Sequence, residues 1–246
     1  APRHWRAQLY RSVSGSIALC CYFYAIGIIP LATAATLSYT SPIFVALLLA
    51  LWFGEPIRWH LGVAVLLGFS GVVLLLHPTF RPELWHGAAA GLASGAIASI
   101  AYVSVRELGR LGEPEPRTVL WFSAQTALVG LPWTLATGGF HVPDPRGAAI
   151  LLGVGLFGGC AQFAMTRSYR YGKTLVSANL SYSTVIFASV FGMLLWGEHL
   201  EAGSWLAIAI IIASGVLISV AARGTPPPAH ALEPAARRRG SRRKPA

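Results

Sequence analysis

The stretch LSYTSPIFVALLLALWFGE at residues 37–55 occurs a second time as LSYSTVIFASVFGMLLWGE at residues 180–198. Eight of the nineteen aligned positions are identical, and the two copies lie 143 residues apart at every position. Both begin with Leu-Ser-Tyr, contain Ile-Phe at the same offset and end with Gly-Glu. A long repeat at a fixed offset indicates that the chain contains two copies of one structural unit.

The composition is that of a membrane protein. Of the 246 residues 54% are apolar and 11% are charged, and the mean hydropathy is +0.58. A helix of about 20 apolar residues crosses a bilayer core of about 30 Å. The apolar segments of suitable length are 12–30, 31–54, 59–77, 86–106, 117–137, 146–166, 174–197 and 202–222. The sequence therefore predicts an all-α, polytopic membrane helix bundle with eight transmembrane helices.

Lys and Arg are distributed unevenly about these spans. Up to Arg223, eleven of them fall on the side that holds both ends of the chain, and only Arg81 and Arg146 fall on the other. Because cytoplasmic loops carry the excess of positive charge, we expect both termini in the cytoplasm. Residues 1–11 are then a cytoplasmic segment, and the Pro-rich and Arg-rich residues 223–246 are a disordered cytoplasmic tail. With this placement the net charge of +10 does not indicate a nucleic-acid partner.

The two copies of the repeated stretch lie in the second and the seventh span. An interval of five spans is odd, so the copies cross the membrane in opposite directions. Inverted repeats are a common plan of secondary transporters, which bind their substrate near the midplane where the halves meet. The first repeat, 12–77, holds three spans and the second, 86–222, holds five. We therefore expect either that the chain lacks the first two of ten spans or that it is a natural eight-span variant.

This pattern resembles the EamA-type families of the drug/metabolite transporter superfamily. The residues that carry the resemblance are 25–55 and 66–76, with their echoes at 168–198 and 211–217. The resemblance implies a carrier of small metabolites in the cytoplasmic membrane, often an exporter, with a central cavity between the two halves. It also implies that the two absent spans help to line that cavity. A non-transporting membrane partner or a truncated inactive carrier is the alternative function.

Polar residues at helical spacing inside the repeat are candidates for a substrate cavity. Residues three, four and seven positions apart share one helix face. The candidates are Thr36, Tyr39 and Thr40 in the first copy and Asn179, Tyr182 and Ser183 at the same offsets in the second. Because polar groups in lipid need partners, this face should point into the bundle, where it either lines the cavity or packs one helix against the next.

Other polar and aromatic side chains inside the spans are further candidates for the cavity wall. They are Tyr22, Tyr24, Tyr102, Trp121, Gln125 and Gln162. The two glutamines are the most informative, because an amide inside a span is costly without a partner. A structural amide that bridges two helices is the alternative for both.

Pro42 and the two glutamates of the repeat are interpreted as structural. Pro42 removes one backbone hydrogen bond, so we expect a kink near Thr40; the second copy has Val185 there, so the two halves are not expected to be identical. Glu55 and Glu198 stand at span ends, where a carboxylate can cap the next helix, and we favour this role over proton transfer.

Three glycines, Gly87, Gly91 and Gly95, recur every four residues and allow another helix to approach closely. We expect this glycine ladder to pack within the bundle, with a dimer seam as the alternative. The protein is accordingly expected to be a monomer or a homodimer.

The sequence does not favour an enzyme. An intramembrane enzyme needs a nucleophile with a base, or paired carboxylates, at membrane depth, and no span core contains Asp, Glu or His. The seven histidines have no ligand spacing, and the three cysteines lie singly or adjacent in apolar segments. We therefore expect no catalytic residue, no metal and no cofactor. The expected partners are a small-molecule substrate and the lipid bilayer.

Overall fold

The structure is a computed structural model that describes residues 4–54, 58–79, 81–136, 142–197, 199 and 201–223. All regular structure within these ranges is helical. The helices are α1 (Trp5–Ile26), α2 (Leu31–Ser38), α3 (Ser41–Phe53), α4 (Trp59–Leu76), α5 (Trp85–Arg110), α6 (Glu115–Ala136), α7 (Pro145–Tyr171), α8 (Thr174–Leu180), α9 (Ser183–Trp196) and α10 (Ala202–Arg223), with a 3₁₀ turn at Pro82–Leu84 before α5. The prediction of an all-α membrane helix bundle is confirmed.

Seven helical segments of the described chain are long and apolar enough to cross a membrane. Two of them are pairs of short helices, α2 with α3 and α8 with α9, and the others are α4, α5, α6, α7 and α10. Helix α1 is 22 residues long and forms an eighth membrane-length helix of more polar composition. The protein is thus a multi-pass membrane protein.

Helix α1 begins well upstream of the predicted first span. The sequence prediction assigned residues 1–11 to a polar segment outside the membrane, but α1 starts at Trp5. Gln8 and Arg11 are both buried in this first part of the helix. The reason is that their polar groups find partners inside the protein: the amide nitrogen of Gln8 donates to the carbonyl oxygen of Thr118 on α6 at 3.2 Å.

Helix α5 is the centre of the bundle and contacts α1, α2, α3 and α7. Its glycine ladder makes these contacts close. A Cβ on Gly87 would lie 2.9 Å from side-chain atoms of Ile28 and Ile29, and a Cβ on Gly91 would lie 3.1 Å from the side chain of Leu37. The interpretation that these glycines pack within the bundle is confirmed. On the other side of the molecule, α4 packs along α10.

Both spans that carry the repeated stretch are interrupted by a two-residue turn at nearly the same place, one residue out of register between the copies. The first breaks between Ser38 and Ser41, and the second between Leu180 and Ser183. Within the second break the backbone nitrogen of Tyr182 donates three residues back, to a carbonyl at 3.1 Å, rather than four. The Leu-Ser-Tyr motif therefore marks a break in the helix in each copy.

Proline is not the cause that the two breaks share. Pro42 stands next to the first break, but the second copy has Val185 at that position and is interrupted as well. Both breaks contain hydroxyls that donate to nearby carbonyls. The Thr40 hydroxyl donates at 2.6 Å to the carbonyl of the residue three positions back, and the Ser181 hydroxyl does the same at 2.7 Å. Such bonds compete with the regular helix ladder.

The Gly-Glu that ends each copy also has a local explanation. Gly54 and Gly197 have φ of 62° and 66° and terminate α3 and α9 in the left-handed conformation. Only glycine adopts that conformation without steric cost, which accounts for a glycine at the helix end in both copies. Glu55 and Glu198, which we interpret as helix caps, lie outside the described residues.

A cluster of charged residues joins the start of α6 to the end of α7. Glu113 is buried, and its carboxylate pairs with Arg117 at 2.9 Å. The guanidinium of Arg170 donates to the backbone carbonyl of Glu113 at 2.8 Å and lies 3.8 Å from the carboxylate of Glu115. Arg117 and Arg170, two of the basic residues that the sequence assigns to one side of the membrane, therefore meet at one end of the bundle.

Candidate binding cavity

A cavity of about 250 Å³ lies between α1, α2, α5, α6 and α7. Much of its wall is apolar and small, with Gly15, four alanines and one methionine among the lining residues. The polar and aromatic side chains of the wall are Arg11, Tyr22, Ser38, Ser94, Tyr102, Phe122, and Gln162. Ser38 is the last residue of α2, so the cavity reaches the first helix break.

Arg11 is the one charged residue in the described wall of this cavity. It is only 3% exposed. Its Nη2 donates to the amide oxygen of Gln162 at 3.1 Å, and its guanidinium carbon lies 3.9 Å from the centre of the Phe122 ring. The absence of a side chain on Gly15 gives the guanidinium its room, because a Cβ there would overlap Nη1 of Arg11.

Tyr102 in the wall of the cavity is supported from behind by a second tyrosine. Tyr102 on α5 stacks on Tyr169 of α7, with ring centres 5.2 Å apart and an interplanar angle of 13°. Tyr169 is 4% exposed and belongs to the main apolar core. The stack therefore fixes the position of Tyr102 in the wall and joins α5 to α7.

The first polar triplet of the repeat lies mainly in helix packing. Thr36 and Thr40 are buried, and their hydroxyls donate to the backbone at 2.8 and 2.6 Å within the same span. Tyr39 is half-buried and meets Tyr182 edge-on, with ring centres 6.3 Å apart. Among the described residues, these three side chains lie outside the cavity wall, and the neighbouring Ser38 takes part in it.

The second triplet packs against α4 and α10 instead. Asn179 is 1% exposed and donates to the Ser214 hydroxyl at 3.4 Å. Tyr182 is fully buried, and a Cβ on Gly68 of α4 would lie 2.6 Å from its ring. Ser183 is half-buried and donates to a carbonyl of its own span at 2.7 Å. The two triplets have different surroundings because α5 covers the first break while α4 and α10 cover the second.

The remaining candidates divide between the cavity and the outer surface. Tyr102, Gln162 and Tyr22 line the cavity. On α6, Gln125 is half-buried outside its wall and Trp121 is 43% exposed. The difference follows from the direction of each residue on its helix, since Phe122 and Thr126 lie on the face of α6 that contacts α1.

Sequence reasoning missed Arg11 because it lies upstream of the predicted first span. A signal for it was present in the sequence. Gln8, Arg11, Ser12 and Gly15 stand at spacings of three, four and seven, which continue the helical pattern of the span toward the N-terminus. All four are buried in α1.

Comparison with known proteins identifies the family to which this chain belongs. The model of the EamA-like transporter family matches residues 1–77 and 85–220. The chain belongs to the EamA-like transporter family. The resemblance inferred from the repeated stretch is therefore confirmed.

Several relatives in the EamA-like family carry functional names. The pseudopaline exporter of Pseudomonas aeruginosa is 35% identical over 218 residues, which cover 87% of this chain and 72% of the exporter. An S-adenosylmethionine uptake transporter of Rickettsia prowazekii is 25% identical over 199 residues, which cover 79% of this chain and 65% of the relative. This EamA-like chain is accordingly a membrane transporter of small metabolites, not an enzyme.

A solved structure supports the EamA-like fold at the level of architecture. It superposes on the chain with a TM-score of 0.80 at 22% sequence identity, covering 89% of this chain and 77% of the other.

Within the described residues there is no group of three or more His, Cys, Asp and Glu side chains that could hold a metal ion.

Proposed function

We propose that this chain is a secondary-active carrier that exports a small metabolite across the cytoplasmic membrane by alternating access, with both termini in the cytoplasm. The observation that carries the proposal is the pair of helix breaks. The two copies of one motif interrupt their spans at turns that contain the equivalent tyrosines, Tyr39 and Tyr182, and these tyrosines contact each other. Discontinuous helices at the interface of inverted repeats are typical of substrate sites in secondary transporters.

The breaks are suited to act as hinges. In a regular membrane helix a bend exposes backbone groups to lipid, which is costly. Here the hydroxyls of Thr40, Ser181 and Ser183 donate to the carbonyls beside the breaks at 2.6 to 2.7 Å. Each span is therefore able to bend at this point with those carbonyls still satisfied. Ser38, at the first break, also lines the cavity, so a change in the angle between α2 and α3 would change the cavity wall.

The proposed direction is supported by the relatives. The relative named an exporter is 35% identical, whereas the uptake transporters of Rickettsia species are 23% to 25% identical. The location in the cytoplasmic membrane and the orientation of the ends are supported by the uneven distribution of Lys and Arg.

The experiment that tests alternating access measures from which side the cavity can be reached. Cys20, Cys21 and Cys160 are first replaced by Ala, and Ala98 in the cavity wall is replaced by Cys. A small membrane-impermeant thiol reagent is then added to right-side-out and to inside-out vesicles. We expect the cysteine at position 98 to be labelled in both preparations, because the cavity opens to each side in turn.

A matched control has its cysteine on the outer surface of the bundle. Leu152 on α7 is 75% exposed within a span, and a cysteine there faces lipid, where a thiol does not ionise and react. The Leu152→Cys variant should stay unlabelled in both preparations. If the cysteine at position 98 reacts from one side only, or from neither, alternating access is rejected.

A further inference from the structure

We propose that the guanidinium of Arg11 binds the carboxylate of a small monoanionic substrate inside the cavity, a proposal that rests on the cavity being the transport site. The first reason is the unbalanced charge. Arginine is protonated at any physiological pH, and burial of a charge is costly unless it is paired. Arg11 is 3% exposed, yet in the described part of the chain no Asp or Glu forms an ion pair with it.

The second reason is the unused hydrogen-bonding capacity of the same side chain. A guanidinium has five N–H donors in a rigid plane. One nitrogen of Arg11, Nη2, donates to the amide oxygen of Gln162, and the ring of Phe122 lies against the face of the guanidinium. The Nε–H is buried and has no acceptor among the described residues. A carboxylate would satisfy such donors in pairs, which is the geometry that arginine favours.

The third reason is that the protein makes room for this head group. Gly15 lies one turn after Arg11 in α1, and a Cβ at this position would overlap Nη1 of Arg11 and lie 2.6 Å from Cε2 of Phe122. Gln162 approaches from α7 and Phe122 from α6. The guanidinium is therefore held in one place by three helices and lines the cavity, which is the arrangement of a binding residue.

The size and charge of the cavity favour a carboxylate over a phosphate. Its volume of about 250 Å³ is slightly below the range of about 300 to 1,000 Å³ that is usual for small-molecule sites. A phosphate group carries a charge of about −1.5 to −2, and Arg11 would leave part of that charge unpaired in a wall without a second cation. The rest of the wall includes Ala18, Ala98 and Met165 and suits a substrate that is apolar apart from its carboxylate.

The test compares acids with their amides, which have nearly the same shape but no charge. Butyrate, benzoate and phenylacetate, each beside its amide, are titrated up to about 10 mM against the purified full chain in lipid nanodiscs, and affinity is taken from the shift in thermal unfolding. We expect at least one acid to bind more tightly than its amide. Arg11→Gln should weaken the binding of that acid by about 30-fold or more and remove the preference for the acid over its amide, because a buried charged partner is lost.

Arg6→Gln is the matched control. Arg6 lies on the same helix and its loss changes the net charge by the same amount, but the side chain is exposed and lies over Trp5. Its affinity for the acid should stay within about twofold of the wild type, since exposed charges are screened by salt. Should Arg11→Gln fail to fold, Gly15→Ala decides the question, because the added methyl must displace the guanidinium and lower the affinity for the acid.

The result that would overturn this proposal is specific. Either no acid binds more tightly than its amide, or the preference survives in folded Arg11→Gln. The binding measurement does not depend on transport, so the carboxylate site and the proposed function can be rejected independently of each other. An acid preference that depends on Arg11, together with labelling of position 98 from one side only, would reject alternating access and retain the carboxylate site. Labelling from both sides without an acid preference would do the reverse.

Discussion

The glycine that covers the first helix break provides the sharpest test of the packing. A Cβ on Gly95 would lie 2.6 Å from the hydroxyl oxygen of Thr40 and 2.9 Å from the backbone carbonyl oxygens of both Leu37 and Ser38. Ordinary contacts between carbon and carbonyl oxygen are about 3.3 to 3.6 Å. Two of the three crowded atoms belong to the backbone, so Gly95→Ala forces α5 away from the break instead of turning a side chain.

The expected cost can be worked out from these contacts. Overpacking a tight core costs about 1 to 3 kcal/mol, and a clash with backbone belongs at the upper end of that range. The gain in helix propensity from Gly to Ala offsets up to about 1 kcal/mol. The net destabilisation is therefore about 2 kcal/mol, which corresponds to a fall in Tm of about 4 to 8 °C for a domain of 150 to 250 residues.

Thermal unfolding of the purified protein in nanodiscs, followed by the fluorescence of its eight tryptophans, measures this change. Gly153→Ala is the matched control, because Gly153 lies inside α7 and a Cβ there meets nothing within 4 Å. Its Tm should stay level or rise. The reasoning would be refuted if Gly95→Ala had the same Tm as Gly153→Ala, since α5 would then not be pressed against the break.

Two further predictions follow from the buried tyrosine and from the loops. Tyr182 is fully buried and its hydroxyl has no hydrogen-bond partner in the described part of the chain, so Tyr182→Phe should change the free energy of unfolding by less than about 1 kcal/mol. Tyr182→Ala should lower it by about 3 kcal/mol or more through the cavity that is left, and equal effects of the two changes in thermal unfolding would contradict this packing. Reporter enzymes fused after Thr79 and after Val142 should report the external side and a fusion after Leu111 the cytoplasm; a cytoplasmic signal from either of the first two would overturn the proposed orientation.

The spans were predictable because insertion into a membrane depends on the hydrophobicity of about 20 consecutive residues. The repeated Leu-Ser-Tyr and Gly-Glu motifs were equally visible, and the structure assigns them a helix break and a helix end. The limit of such reasoning appears at Arg11. Two arginines and a glutamine lower the hydropathy at the start of α1, so the start of the first span, when it is placed from composition, falls later than the start of the helix. Gln8 and Arg11 nevertheless lie inside the helix, because they have hydrogen-bond partners on α6 and α7.

The candidate cavity was predictable in part. Tyr102 and Gln162 were identified from the cost of polar groups inside a span, and both line the cavity. Thr36 and Thr40 avoid the cost of an unpaired polar group in another way, because their hydroxyls donate to backbone carbonyls of their own span. Helical spacing shows which side chains share a face, but it does not show which neighbouring helix covers that face.

The sequence by itself determined the class of this protein, its membrane spans, its repeated stretch and its family, because hydropathy and a repeat at fixed offset are properties of the chain alone. Tertiary structure decided how the two copies differ. Equivalent residues Tyr39 and Tyr182 meet each other, yet α5 covers one break while α4 and α10 cover the other. It also brought Arg11 to Gln162, 151 positions away in the chain. Such contacts depend on how whole helices pack, and no local pattern encodes them.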